Sequence, residues 1–482
     1  MISEQTRLAA SGPALFSASE LVTMLKDSRS RTLELVSDLS DEQMIGPRLT
    51  IVNPPLWEIG HVAWFQEFWV WRQLRKQNPL LERGDAIYNS TDVAHDTRWE
   101  LMLPTREKTL AYMEAVLDRA IETFGNRSPN KEEIYFYLLA IFHEDMHDEA
   151  ITYTRQTLGY SPPRLSCASG VHRAEDSQAS PCGQDVEIPG GTLMLGARPD
   201  FPFVFDNDKW EHPVEIAPFR ISRAPVTNGE FAAFVEDGGY SRRELWSDEG
   251  WRWLNSGGSP ELEQSFSRFW TREMPRLPEI SSRSGRISHP VYWQREGGGR
   301  WLCRVFDTYL PLRENLPVIH VNWHEAQAYC KWAGRRLPAE AEWEMAASAE
   351  PAGENVTSAG QHKRLFPWGN DAPNPERANL DGRAMGLLEV GSLPTGDNAF
   401  GCRQMIGNVW EWTASEFQPY PGFVSDPYKE YSAPWFKTHK VLRGGCWVTR
   451  ARLIRNTWRN FYTPDRRDIW AGFRTCALQT QL

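Results

Sequence analysis

Two histidines four residues apart, His143 and His147, lie in Ala140-Ile-Phe-His143-Glu144-Asp145-Met146-His147-Asp148-Glu149-Ala150. On a helix they stand one turn apart on the same face and offer two imidazoles to one metal ion. The string also reads His-Glu-x-x-His, in which zinc proteases use the glutamate as general base, so two chemistries are open. The extended protease form needs Gly and His soon after the second histidine. Ala150, Ile151 and Thr152 follow instead, and that form fails. A third imidazole, His61 in Glu58-Ile-Gly-His61-Val-Ala-Trp, shifts the balance. A lone histidine on an apolar helix face is more often a core residue, but three neutral imidazoles supply half an octahedron and leave positions for substrate and oxygen, the logic of open non-haem iron centres. Glu149 and Asp148 are candidate acceptors for an imidazole N–H; a solvated helix face explains Asp148 equally well.

These side chains need helices to hold them. Ile134, Leu138, Ile141, Phe142, Ala150, Ile151 and Tyr153 recur at helical spacing and predict a helix from Lys131 to about Leu158. Leu21, Leu25, Leu33, Leu35, Val36 and Leu39 predict a first helix over about Ala18–Met44, with Ser17 or Ser19 as its cap. A second, from about Leu56 to Gln77, carries His61 among Trp57, Trp64, Phe65, Phe68, Trp69 and Trp71, so it is buried on more than one side. Thr105 to about Phe124 is the third. Four helices with the candidate ligands on the second and fourth make a bundle, an architecture that houses metals in its interior. The stretch Asn78–Pro104 between the second and third has no clean period and reads as a long loop, of the kind that tends to carry function.

A chain of 482 residues exceeds the size at which one core stops growing, so at least two domains are expected. The balance of 53 basic against 63 acidic side chains, a net charge of -10, argues against nucleic acid as a partner. No apolar run approaches a membrane span, and the first residues lack a basic segment followed by an apolar one; the expectation is a cytoplasmic protein. Seven scattered cysteines form neither a disulfide framework nor a Cys-x-x-Cys zinc site and are expected as thiols. The 22 tryptophans supply flat faces for packing and, where one lines a pocket, for holding a cation.

Between Tyr160 and about Asp185 the composition turns to Ser, Pro, Gly, Cys and Ala, which marks a linker. From Val186 short apolar runs are punctuated by Gly, Pro, Asn and Asp, so regular structure should be sparse. Helices are expected at about Trp323–Ala333 and about Glu340–Ala349. Three strings stand out: Asn322-Trp-His-Glu-Ala-Gln-Ala-Tyr-Cys-Lys-Trp-Ala-Gly-Arg-Arg-Leu-Pro-Ala-Glu-Ala-Glu-Trp-Glu, Gly407-Asn408-Val-Trp410-Glu411-Trp412-Thr and Leu442-Arg443-Gly-Gly-Cys446-Trp447. Packing accounts for most of these residues.

With Pro225-Val-Thr-Asn and Gly472-Phe-Arg, these strings resemble the formylglycine-generating-enzyme-like fold, which is related to C-type lectins. Gly60-His61 and His143-x-x-x-His147-x-Glu149 resemble the DinB-type domain. Both in this order resemble the EgtB family of sulfoxide synthases in ergothioneine synthesis. The resemblance implies an α+β chain: a DinB-like four-helix bundle over residues 1–160, a linker over 161–185 and a formylglycine-generating-enzyme-like domain over 186–482. It also implies Fe(II) held by His61, His143 and His147, dioxygen as co-substrate, and hercynine, the betaine of histidine, as substrate. A structural calcium ion in the second domain is left open. Formylglycine generation itself is disfavoured, because Ala451 stands where a thiol partner for Cys446 would be.

Departures from the family pattern bear on the chalcogen donor. Members that use gamma-glutamylcysteine typically show Arg-Pro-Gln-Arg-like residues in the long bundle loop and Arg-Asn-Trp-Asp near the C-terminus. This chain has Val93-Ala-His95-Asp-Thr-Arg98-Trp-Glu and Arg459-Asn460-Phe461-Tyr462, and Met146 stands where the family often has Gln. A carboxylated thiol needs cationic anchors; a neutral sugar does not. The changes are similar to the selenoneine synthase (SenA) branch, which joins hercynine to a selenosugar; cysteine or gamma-glutamylcysteine is the alternative donor. By the resemblance, Asn460 and Phe461 hold hercynine, Met146, Arg98 and Tyr462 line the donor pocket, and Tyr420 is the candidate proton donor, a role it shares with plain turn packing. A zinc peptidase and a lectin-like binding module are the competing readings.

Overall fold

The computed structural model describes residues 16–124, 128–169, 184–256, 286–350 and 363–478. The chain divides into one unit comprising Met1–Ala168 and Pro199–Phe205 and another comprising Ser169–Arg198 and Asp206–Leu482. Most of the expected linker falls on 170–183, outside the described residues. Among the described residues no helix is long and apolar enough to cross a membrane.

In the first unit, Ser17 and Glu20 form a capping box that opens α1 (Ala18–Val36). The helix expected to continue to Met44 stops there, because a second box, Ser40 with Gln43, starts the separate α2 (Asp41–Ile45). Helix α3 (Pro55–Gln66) begins with a proline at its first position, where the missing N–H costs nothing. It widens into a π-helical stretch, Glu67–Leu74, so the expected single α-helix to Gln77 is two helical forms in series. The segment read as loop holds α4 (Gly84–Tyr88) and a 3-10 turn at His95–Thr97. Helix α5 (Arg106–Glu122) follows, capped by Thr105. Helix α6 (Lys131–Leu158) runs from the Asn130/Glu133 capping box to Gly159, whose φ of 65° ends it in the left-handed conformation. The bundle pairs α1 with α5 and α6, and α3 with the same two helices.

Helix α6 divides its polar residues between its neighbours. Glu144 forms a buried ion pair with Arg29 of α1 at 2.7 Å, and Ser28 and Thr32 donate to Asp145 and Asp148 at 3.0 and 2.8 Å. The imidazoles of His143 and His147 lie instead beside His61 of α3. Phe203 packs on Tyr135 and Phe142 of α6, with ring centroids 5.3 and 5.2 Å apart.

The second unit comprises β1 (Asp185–Ile188), β2 (Gly191–Leu195), β3 (His212–Ile216), β4 (Phe219–Ser222), α7 (Asn228–Glu236), α8 (Asp248–Asn255), β5 (Trp293–Arg295), β6 (Trp301–Val305) and β7 (Thr308–Pro311). It continues with α9 (Trp323–Trp332), β8 (Arg335–Arg336), α10 (Glu340–Ser348), β9 (Trp410–Glu416), β10 (Lys440–Arg443), β11 (Asn460–Tyr462), β12 (Ala471–Gly472) and β13 (Cys476–Ala477). The strands form small sheets in the orders β1-β4-β13-β8, β11-β10-β9-β12, β2-β3 and β5-β6-β7. Helices α7 and α8, which the sequence reading did not single out, are opened by Thr227 and Ser247 as caps. The three distinctive strings supply much of the interior. Trp343, Trp410, Trp412 and Trp447 are fully buried, the Trp343 indole N–H donates to Glu411 at 2.7 Å, and Glu411 pairs with Arg474 at 2.7 Å. With such short ladders, edge-to-face indoles such as Trp410 on Trp458 and Trp447 on Trp470 and buried ion pairs carry the packing that longer strands carry elsewhere.

Candidate metal centre

Of the described residues, His61, His143 and His147 form a group able to hold a metal ion: one ligand nitrogen from each lies within 4.8 Å of the other two. Helical spacing puts His143 and His147 on one face of α6, and α3 brings His61 to them. Ring centroids of His61 lie 5.1 Å from His143 and 4.9 Å from His147.

Hydrogen bonds decide which nitrogen each ring presents. His61 Nδ1 lies 2.7 Å from the Tyr88 carbonyl. A carbonyl only accepts, so Nδ1 carries the proton and Nε2 keeps its lone pair for a metal. His147 Nδ1 lies 2.7 Å from Oε1 of Glu58, which fixes the same tautomer in that ring. The remaining carboxylate oxygen, Oε2, accepts from Asn53 Nδ2 at 3.1 Å. Aromatic faces hold the other degrees of freedom: Phe65 stacks on His143 at 3.5 Å and Trp57 on His61 at 4.8 Å.

Burial, followed by the charge of His147, pushes the pKa of His61 well below the usual imidazole value. The same causes act on His143, with a smaller contribution from His61. Both rings are neutral at physiological pH and ready to ligate. Three converging imidazoles, two of them with enforced Nδ1–H tautomers, suit a divalent first-row metal with open positions. Met146 and His147 are half-exposed in an otherwise buried stretch of α6, so the cluster is reached from that side.

The stretch read as a loop holds part of this centre in place. Asp85 of α4 accepts from the Trp64 indole at 2.7 Å and pairs with Arg72, and the Ile87 carbonyl accepts from Trp57 at 2.7 Å. These contacts pin α4 to α3 and set the Tyr88 carbonyl against His61. Gly60 makes the approach feasible: a Cβ there would lie 2.3 Å from the Tyr88 ring. Further along, Arg98 is buried with its guanidinium 3.9 Å from the Trp57 ring. It donates to Asn53 Oδ1 at 2.5 Å and to the Val93 carbonyl at 3.4 Å. Burial lowers its pKa to about 10, so it remains a cation.

Several expectations change. The His147 N–H is taken by Glu58 and the His61 N–H by the Tyr88 carbonyl, while Asp148 receives the Thr32 hydroxyl from α1. Glu58 could have been found, since it lies one turn before His61 and therefore on the same helical face. Glu144, the base a zinc peptidase would need, is buried against Arg29 and Thr32. It faces α1, and the peptidase reading falls with it.

In the second unit, Tyr420 is buried among hydrophobic residues; its hydroxyl donates to Glu340 at 3.1 Å and the Arg459 guanidinium lies 4.1 Å from its ring. Burial raises its pKa well above the phenol value. Tyr420, the candidate proton donor, therefore sits in an internal charge network with Glu340 and Arg459. Asn460 accepts from the Phe461 N–H at 2.8 Å. Phe461 stacks on Phe417 at 4.0 Å, and Tyr462 lies under Arg466 at 5.1 Å. Cys446 is buried with its sulfur 3.4 Å from the Thr449 hydroxyl.

Comparison with known proteins agrees with this division of the chain. The DinB superfamily matches residues 24–151, and the sulfatase-modifying factor enzyme 1-like domain matches residues 171–478. The chain is 33% identical over 471 residues to a hercynine oxygenase of Mycolicibacterium thermoresistibile, covering 96% of each. It is 32% identical over 461 residues to a hercynine oxygenase of Mycobacterium tuberculosis, covering 95% of this chain and 98% of that one. A formylglycine-generating enzyme of Thermomonospora curvata is 32% identical over 309 residues, covering 61% of this chain and 92% of that one.

Proposed function

The chain belongs to the EgtB-type family of hercynine oxygenases, and we propose that it is an O2-dependent Fe(II) enzyme joining selenium from a selenosugar to the imidazole carbon of hercynine. The observation that carries the metal assignment is the convergence of His61, His143 and His147. Bound iron would supply dioxygen activation and a position for the substrate imidazole.

The protein's own residues bind and orient. Glu58 and the Tyr88 carbonyl hold two imidazoles in the ligating tautomer. The buried faces of Phe65 and Trp57 exclude water from one side of the cluster, which strengthens electrostatic interactions inside it. In the second unit, the Asn460 amide is the proposed donor to the hercynine carboxylate, and the aromatic group of Phe461 and Phe417 suits its trimethylammonium. Met146 and Tyr462 replace polar or acidic family residues and support a donor without charge.

One observation favours the second reading, a sulfur donor such as gamma-glutamylcysteine or cysteine. Arg98 remains beside the cluster as a cation, and its Nε has no acceptor among the described residues. The test incubates iron-loaded protein and hercynine in air with selenoglucose, thioglucose or gamma-glutamylcysteine, and follows products by mass. Selenoneine formed from selenoglucose supports the proposal; turnover with the peptide alone replaces it by the sulfoxide synthase reading.

A further inference from the structure

Tyr88 joins the candidate metal centre to a second constellation in the bundle. Its carbonyl holds His61 at 2.7 Å, and its ring lies 6.4 Å from that of Trp57, which itself stacks on His61. On its other contact, Tyr88 stacks nearly parallel to Tyr112 of α5, with centroids 6.4 Å apart and planes 7° apart. Trp57, Tyr88 and Tyr112 therefore form an unbroken series of oxidisable rings from a metal ligand to a half-buried tyrosine.

Aromatic packing alone would explain the series if its end were apolar. It is not. The Tyr112 hydroxyl donates to Glu67 Oε2 at 2.5 Å, and Glu67 is buried at the start of the π-helical stretch, its other oxygen taking the Leu80 N–H at 3.2 Å. Burial holds the Glu67 carboxyl above the usual carboxylate range, which makes it a better proton acceptor. The Tyr88 hydroxyl has the Thr109 hydroxyl beside it, and a neutral hydroxyl takes up no proton near pH 7. A phenol gives up an electron readily only when its proton can leave at the same time. Of the two tyrosines, Tyr112 alone has a carboxylate placed for that proton.

We propose that Trp57, Tyr88 and Tyr112 form an electron path that drains oxidising equivalents from the metal centre when dioxygen is reduced there without substrate, with Tyr112 as terminal donor and Glu67 as its proton acceptor. The proposal rests on the iron and dioxygen reading above. In the step itself, one electron passes from Tyr112 to the oxidised metal centre, which is reduced by one. The Tyr112 O–H bond breaks, its proton goes to Glu67, and a neutral tyrosyl radical remains. A small cellular thiol reaching half-buried Tyr112 returns a hydrogen atom and leaves as a thiyl radical, while Glu67 releases its proton to solvent. The path spares the ligating imidazoles and the indoles around them from oxidation.

The test exposes the full-length iron-loaded protein to air, and separately to hydrogen peroxide, without hercynine or donor, and freezes samples for electron paramagnetic resonance. The expected result is a radical signal that narrows with ring-deuterated tyrosine, disappears in Tyr112→Phe and falls several-fold in Glu67→Gln. Peptide mass analysis should then show several-fold more oxidised Trp57 and His61 in Tyr112→Phe than in the parent, with the initial rate of product formation unchanged. Glu67→Gln keeps the side-chain volume and a hydrogen-bond acceptor, so it tests the proton step even if Tyr112→Phe loosens the bundle. A tyrosyl signal that survives Tyr112→Phe, or none at all in protein that consumes dioxygen, would overturn the path. Iron-loaded protein that consumes no dioxygen without substrate would overturn the path alone; protein that consumes none even with hercynine and a chalcogen donor present would overturn the functional reading, and the path with it.

Discussion

His147 Nδ1 and Glu58 Oε1 lie 2.7 Å apart, joining the helix that carries two imidazoles to the helix that carries the third. Glu58 is buried and fixes the tautomer in which His147 turns Nε2 to a metal. Glu58→Ala is expected to weaken iron binding by about 10–100-fold, measured by competition with a chelator. Glu58→Gln, which can still accept a hydrogen bond, should lose less. Equal affinities in all three proteins would remove Glu58 from the centre.

Gly60→Ala places a methyl group 2.3 Å from the Tyr88 ring. The ring must move and take the carbonyl that holds His61 with it. The substitution should cost about 1–3 kcal/mol of stability and also weaken iron binding. Thermal denaturation of the metal-free protein separates the first effect from the second.

Removing a ligand is a harsher change. His143→Ala should lower iron affinity by more than about 100-fold, beyond the effect of losing an outer partner, and abolish product formation. Since Phe65 stacks on the His143 ring, His143→Gln serves as a second variant that keeps more of the packing. Full activity in either would refute the metal assignment.

Glu144→Gln breaks the buried pair with Arg29 and leaves a guanidinium without its counter-charge. The expected loss is about 3–5 kcal/mol of stability, read from denaturant unfolding, with iron stoichiometry unchanged. A catalytic defect without loss of stability would instead restore Glu144 as a base.

Burial raises the pKa of Asp208 in the second unit to about 8, against the pull of Arg459 and Arg443. In the unfolded chain the group titrates near ~3.9. The folded state therefore holds the extra proton, and stability falls as pH rises from about 4 through about 8. Asp208→Asn should flatten this slope in thermal melts between pH 6 and pH 9 while keeping an acceptor for the Arg459 N–H.

How much of this was legible in the sequence differs by element. The apolar period alone gives the fourth bundle helix its ends, and the Asn130 capping box and left-handed Gly159 fall where that period stops. The first was read too long, since continuing apolar residues hid the second cap at Ser40. The second was read as uniformly α-helical because side-chain period does not reveal the π-helical widening at Glu67. Helices α7 and α8 were missed because their 9 and 8 residues give too few turns for a period to emerge.

The sequence by itself put His143 and His147 on one helical face through their i, i+4 spacing and, through the family resemblance, joined His61 to them as candidate ligands. Only the tertiary structure decided which acidic residue serves the imidazoles. Glu144, Asp148 and Glu149 all sit beside the histidines in sequence, yet rotation about the helix sends Glu144 and Asp148 to α1. Glu58 arrives from 89 residues away. Sequence neighbours on a helix point around a full circle, so the partner of a side chain is set by which helix packs against its face.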